Sequence, residues 1–260
     1  MNAEYSVRDL FFTTLTDLKN RPRIHAQVCA LYQAWREVPA ESIEAGAMLI
    51  RILKLLRRRP ALVDQINEAQ AVDIFNDIER TMLSQPWYFF PELGSNVLTP
   101  DDHLARTTFD QFIYADKEFS LFVRAAWQKQ PEAELRNLLC RVTACLYMRK
   151  YREFDPENVD QDADVYMRKL HTWELQLIQF AYGHTREAVM NRCPTLFSKV
   201  GNAGKEPQST GPMWAKLKHE VARTGVFGTF HEVGRARLYD VLDHLEILSK
   251  EVNQRAHAAA

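Results

Sequence analysis

The stretch TTFDQFIYADKEFSLFVRAA, residues 107 to 126, decides the fold. Phe109, Phe112, Ile113, Phe119, Phe122 and Val123 recur at the three- and four-residue spacing that lines one face of an α-helix. Asp116 interrupts that apolar face. A carboxylate buried there is costly unless paired, so it is expected to salt-bridge a neighbouring helix rather than to catalyse. Just upstream, Thr99-Pro100-Asp101-Asp102 has the form of a helix start: Thr as N-cap, Pro at the first helical position, and acids that suit the positive end of the dipole.

The same periodicity recurs on both sides. Ile24, Val28, Leu31, Tyr32 and Trp35 line a helix ending near Pro39, and Leu49, Ile52, Leu53 and Leu56 line another that Pro60 stops. A further helix is expected over Val72 to Leu83. Pro86-Trp87-Tyr88-Phe89-Phe90-Pro91, followed by Gly94-Ser95-Asn96, cannot be regular helix and is expected to be a connector. Beyond residue 126, Pro131 opens a helix faced by Leu135, Leu138, Leu139, Val142 and Leu146, which runs into the basic, aromatic stretch Tyr147 to Phe154. Asp155-Pro156-Glu157 starts another toward Leu170. Leu170, Trp173, Leu177, Ile178 and Ala181 continue or restart it near His171, with Gly183 as a weak point and Pro194 as its end. GNAGKEPQSTG, residues 201 to 211, has no large apolar side chain and is expected to be a flexible linker. Leu238, Val241, Leu242, Leu245, Leu248 and Val252 make a C-terminal amphipathic helix, frayed from Arg255 onward and preceded by a turn over Thr224 to Thr229.

The fold class that follows is all-α: an irregular multi-helix bundle with at most a short β pair near residues 88–98 and no fixed-period repeat. At 260 residues the chain is long enough for one large domain or for two lobes, 1–98 and 99–260.

Composition narrows the function classes. Thirty-three basic against thirty-four acidic residues leave a net charge of −1, so no global field draws the chain to nucleic acid or to an anionic membrane. The most apolar run, Ala45 to Leu56, is interrupted by Arg51 and Lys54, far from the roughly 18 uncharged residues of a spanning helix. Residues 1–9 lack the basic-then-apolar order of a secretion signal, so a cytoplasmic location is expected. Cys29, Cys140, Cys145 and Cys193 lack CxxC spacing and are expected to be reduced core thiols.

Candidate chemistries fail on spacing. Gly201-Asn202-Ala203-Gly204-Lys205 has two residues between its glycines where a phosphate loop needs four, and Glu206 follows where Ser or Thr is required. His25 and Cys29 share a helix face, and His219-Glu220 and His231-Glu232 begin like HExxH, but no set of metal ligands is completed. GxSxG is absent, and Asp160, Asp162 and Asp164 have the look of a solvated acidic face. No catalytic, cofactor or metal residues are therefore assigned. What stands out instead is aromatic: Trp87, Tyr88, Phe89 and Phe90 in the connector, and Phe227 and Phe230 beside the C-terminal helix, are candidates for binding another protein chain. The alternative is a small nucleic-acid-binding regulator using Arg51, Lys54, Arg57, Arg58 and Arg59, of which Arg51, Lys54 and Arg58 share a face. Such a run equally complements a helix C-terminus.

PWYFFPELGSNVLTPDDHLARTTFDQFIYADKEF at 86–119, LLCRVTACLYMRKYREFDPENVDQDA at 138–163 and TGVFGTFHEVGRARLYDVLDHLEIL at 224–248 give the chain a segment order that resembles helical proteins encoded in prophage tail-gene clusters. The resemblance implies a non-enzymatic tail chaperone or minor structural component. Its partners would be tail-tube or tape-measure proteins, with self-association also open, and it would be cytoplasmic or part of an assembled phage-like particle.

Overall fold

The computed structural model describes residues 22–36, 89–101, 103–197 and 211–258. Among them the chain is helical apart from its loops and one two-strand antiparallel pair, as the periodicity requires. The expected helices around Leu49–Leu56 and Val72–Leu83 lie outside the described residues, as do Trp87, Tyr88, the basic run Arg51 to Arg59 and linker residues 201–210. The chain divides into two compact units, Met1–Pro91 with His171–Ala181, and Glu92–Leu170 with Tyr182–Ala260.

In the first unit, α1 (Pro22–Arg36) buries His25, Ala26, Val28 and Cys29. Ala26 and Cys29 lie one turn apart and pack with Leu177 and Phe180, flanked by Ala30 and Trp173. The ring of His25 stacks on Phe89, with centroids 4.3 Å apart.

In the second unit, β1 (Val97–Leu98) precedes α2 (Phe109–Trp127), α3 (Glu132–Leu146), β2 (Met148–Arg149), a 3-10 turn (Pro156–Asn158) and α4 (Val159–Lys169). Helix α5 (Thr172–Arg192) begins in the first unit and ends in the second. It is followed by α6 (Pro194–Phe197), α7 (Gly211–Thr224), α8 (Phe230–Arg235) and α9 (Leu238–Ala258). Helix α9 is helical to Ala258, past the Arg255 at which fraying was expected.

Thr99-Pro100-Asp101 does not start a helix. The Asp101 carboxylate accepts from the backbone N–H of His103, Ala105 and Arg106 at 3.1, 2.8 and 3.1 Å, and so organises a loop in which the buried Leu104 has φ 56°. Proline followed by aspartate serves turns and helix starts equally well, which is why the motif misled. The true N-cap is Thr108, which forms a capping box with Gln111. Phe109 N–H donates to Ala236 O and Leu238 N–H to Thr107 O, tying the starts of α2 and α9 together. The β pair near residues 88–98 exists, but its partner lies across two helices: Val97 pairs with Arg149 and Leu98 with Met148.

Helix α2 buries Phe109, Phe112, Ile113, Phe119 and Phe122 of the expected face, together with Ala115, while Val123 of that face is half-buried. Its C-terminus closes in a Schellman geometry, with Lys129 N–H on Ala126 O, Gln130 N–H on Ala125 O and Lys129 at φ 55°. Pro131 stands at the N-cap position of α3 without a side-chain hydrogen bond, and Asp155 caps the 3-10 turn that leads into α4 by accepting from Glu157 N–H. Arg136 Nη2 donates to the terminal carbonyls of α4, Met167 O at 3.2 Å and Leu170 O at 2.5 Å. Gly183 does not break α5. A Cβ there would stand 3.4 Å from Phe119 Cζ, an ordinary contact.

Candidate interaction surface

Three buried ionisable side chains of the second unit, Asp116, Glu118 and Lys218, are each paired with an opposite charge. Asp116 on α2 is buried; its Oδ1 accepts from Arg186 Nε on α5, and its Oδ2 accepts from Trp214 Nε1 on α7 at 2.6 Å. This is the interhelical ion pair expected of it, with an indole added. Phe112, Phe109 and Phe197 stand edge-on to the Trp214 ring at 5.4, 5.9 and 5.7 Å and keep water from the carboxylate. Burial, with the Asp116 charge beside it, pushes the Tyr182 phenol well above its ordinary value.

Two residues along α2, the buried Glu118 takes a two-pronged contact from Arg141 on α3, 2.7 Å at Nε and 3.3 Å at Nη2. Arg141 also reaches Asp160, so part of the acidic face of α4 is neutralised. Near the start of α2, Asp110 pairs with the buried Lys218 of α7 at 2.6 Å. Gly234 on α8 lies against that pair: a Cβ there would stand 2.0 Å from Asp110 Oδ2 and 2.6 Å from Lys218 Nζ. Glu246 accepts from the N–H groups of Thr195 and Leu196 at 3.3 and 3.1 Å and so caps α6. These contacts fix helices to one another and consume the charges that make them.

The thiols are equally committed. All four cysteines are buried and free. Burial pushes Cys140 and Cys193 up to about 11, and Cys29 and Cys145 also well above their ordinary value, so at neutral pH they are protonated and poorly nucleophilic. Among the described residues no group of three or more His, Cys, Asp or Glu is placed to hold a metal ion. His25 is a packed histidine, His219 lies on the Phe230 ring with centroids 4.4 Å apart, and His244 contacts Thr224 Oγ1 at 3.3 Å.

The candidate partner-binding aromatics are placed in contrasting ways. Phe90 is buried and Phe89 is half-buried on His25. Phe227 is half-buried and edge-on to His244. Phe230 is 40% exposed, with Lys218 Nζ 4.1 Å from its ring centroid, and Val226 is 63% exposed. They occupy one knuckle between α7 and α8, built by Gly225 (φ 72°) and Gly228 (φ 82°). At Gly228 a side chain would collide with Glu232, which closes a capping box on Thr229.

Tyr151 was passed over in the sequence. It is fully exposed on the turn Arg149 to Arg152, with φ 67°, a left-handed backbone that costs a non-glycine residue on the order of 1 kcal/mol. Nothing marked it, because no Gly or Asn signals the turn and Tyr147 to Phe154 looks like a helix end. Beside it lies a shallow, mixed cleft, too small to enclose a side chain, lined by Met148, Phe154 and Val159 together with Arg149, Arg152 and the carboxylates of Glu153, Asp155 and Asp162. No helix among the described residues is long and apolar enough to cross a membrane. No protein-family model, no curated protein and no solved structure matches this chain.

Proposed function

We propose that the protein is a non-enzymatic interaction or assembly protein that binds another protein chain through exposed apolar side chains on its inter-helix turns. The observation that carries this reading is the Val226 to Phe230 knuckle. It displays two large apolar side chains on a glycine-fixed turn, while Lys218 behind it is locked to Asp110. Solvent-facing apolar groups on a rigid support are what a partner interface uses. The titratable groups described above, tied up in helix-to-helix contacts, favour the same reading.

The tail-morphogenesis form of the proposal is tested by gel filtration and pull-down with tail-tube and tape-measure proteins. Association without turnover is expected, and a Val226→Asp, Phe230→Ser variant should lose it while staying helical. A strictly monomeric protein that retains none of those partners would contradict this form of it.

A further inference from the structure

We infer that the turn Arg149 to Arg152 is a second contact point, an aromatic anchor for an acidic protein surface. This inference rests on the interaction reading above and names the chemistry of the partner. Tyr151 buries nothing within its own chain, yet its backbone is held in the left-handed region, where a glycine would sit without strain. Local strain that supports no internal contact is a mark of a residue kept for what it meets outside.

Its surroundings say what that is. Arg149 and Arg152 both face one carboxylate, Asp162, at 2.5 and 3.8 Å, so two cations share a single counter-charge. Lys150 has no ion-pair partner among the described residues. Glu153, the nearest further acid in sequence, is tied to Arg235 at 3.0 Å. The turn therefore carries an excess of positive charge around an exposed phenol ring. Tyrosine and arginine are the side-chain types that anchor protein interfaces, and a positive collar selects carboxylates at the rim of the partner's pocket. The occupant is thus a protein segment in which acidic residues flank an apolar or aromatic side chain.

The probe is a random glutamate–tyrosine copolymer, read by fluorescence anisotropy of the labelled full chain beside polyglutamate, an oligo(dT) and phosphatidylcholine–phosphatidylserine vesicles. The copolymer is expected to bind at least tenfold more tightly than polyglutamate. Lys150→Glu and Tyr151→Gly should each weaken it at least tenfold, and Tyr151→Gly should at the same time raise the unfolding midpoint by relieving the backbone. An unaltered copolymer affinity in both variants would overturn the assignment, as would tighter binding to oligo(dT) or to the vesicles. So would a Tyr151→Gly variant that is less stable than its parent, since the tyrosine would then serve the fold. Loss of copolymer binding in Val226→Asp but not in Tyr151→Gly would overturn this site and leave the interaction reading standing. Failure of that reading itself shows separately, in the pull-down.

Discussion

Replacing Asp116 with Asn is the sharpest perturbation of the helical core, because it keeps the volume and removes the charge. Asp116 accepts from Arg186 and from Trp214, so both of its oxygens face donors. An amide supplies one acceptor and one donor, and its NH2 must then point at an N–H. A hydrogen bond to a charged group contributes about 1.5–3 kcal/mol, and breaking a buried ion pair from one side costs about 3–5 kcal/mol. The Arg186 side chain is 22% exposed and recovers part of its hydration when abandoned, which places the expected loss near the lower end, about 3 kcal/mol. That is a large part of the ~5–15 kcal/mol that holds a typical domain together. Urea unfolding followed by circular dichroism measures it, with an unchanged denaturant slope as the sign that the native state kept its form. Double-mutant cycles with Arg186→Met and Trp214→Phe should each return a coupling of about 1–3 kcal/mol. A loss below about 1 kcal/mol, or cycles that add without coupling, would refute the clamp.

Other expectations follow from single positions. Lys129→Gly should stabilise by about 0.5–1 kcal/mol, because the αL residue closing α2 then carries no Cβ; a destabilised variant in the same urea assay would rule out the Schellman geometry. Gly234→Ala should cost about 2–3 kcal/mol, since the overpacking and the displaced Asp110–Lys218 pair exceed the helix-propensity gain of ~1 kcal/mol, and a stabilised variant would show that α8 does not rest on that pair. For Glu246, desolvation alone would raise its pKa, but hydrogen bonds from Thr195 and Leu196 and the Lys250 ammonium together outweigh it and hold the carboxyl below its ordinary value. Its contribution is therefore complete above the ordinary glutamate range and is lost as pH falls through the depressed folded-state value. Glu246→Gln should remove that acid-sensitive increment, seen as a smaller fall in unfolding free energy between neutral and acid pH; an identical pH profile for the variant would show that Glu246 caps nothing.

The parts of the fold visible in the sequence are those governed by local periodicity. The stripe from Phe109 to Phe122, the starts at Pro131 and Pro156, and the paired fate of Asp116 follow from spacing and from the cost of an unpaired charge. What was hidden depends on residues far apart in sequence. Nothing near Val97 points to Met148 and Arg149, because two-residue strands carry no alternation to read. Lys218 stands on the apolar face of α7 between Trp214 and Val221, where a cation is not expected, and Asp110, brought in by α2, makes its burial affordable. Leu104, Lys129 and Tyr151 adopt left-handed backbones without the Gly or Asn that would announce them. For the surface, Phe227 and Phe230 are legible as aromatic residues beside the C-terminal helix. Tyr151 was missed because its exposure is a tertiary fact.

Hydrogen exchange at the Trp214 indole Nε1–H tests most directly whether the buried charges serve the fold and leave function to the exposed turns. That proton lies between a buried ring and the Asp116 carboxylate, 2.6 Å from Oδ2. It should exchange only through global unfolding, with an opening free energy equal to that from urea denaturation. Exchange at a free energy several kcal/mol lower, with the helices still formed, would mean that the clamp opens in the native state and would contradict its structural role.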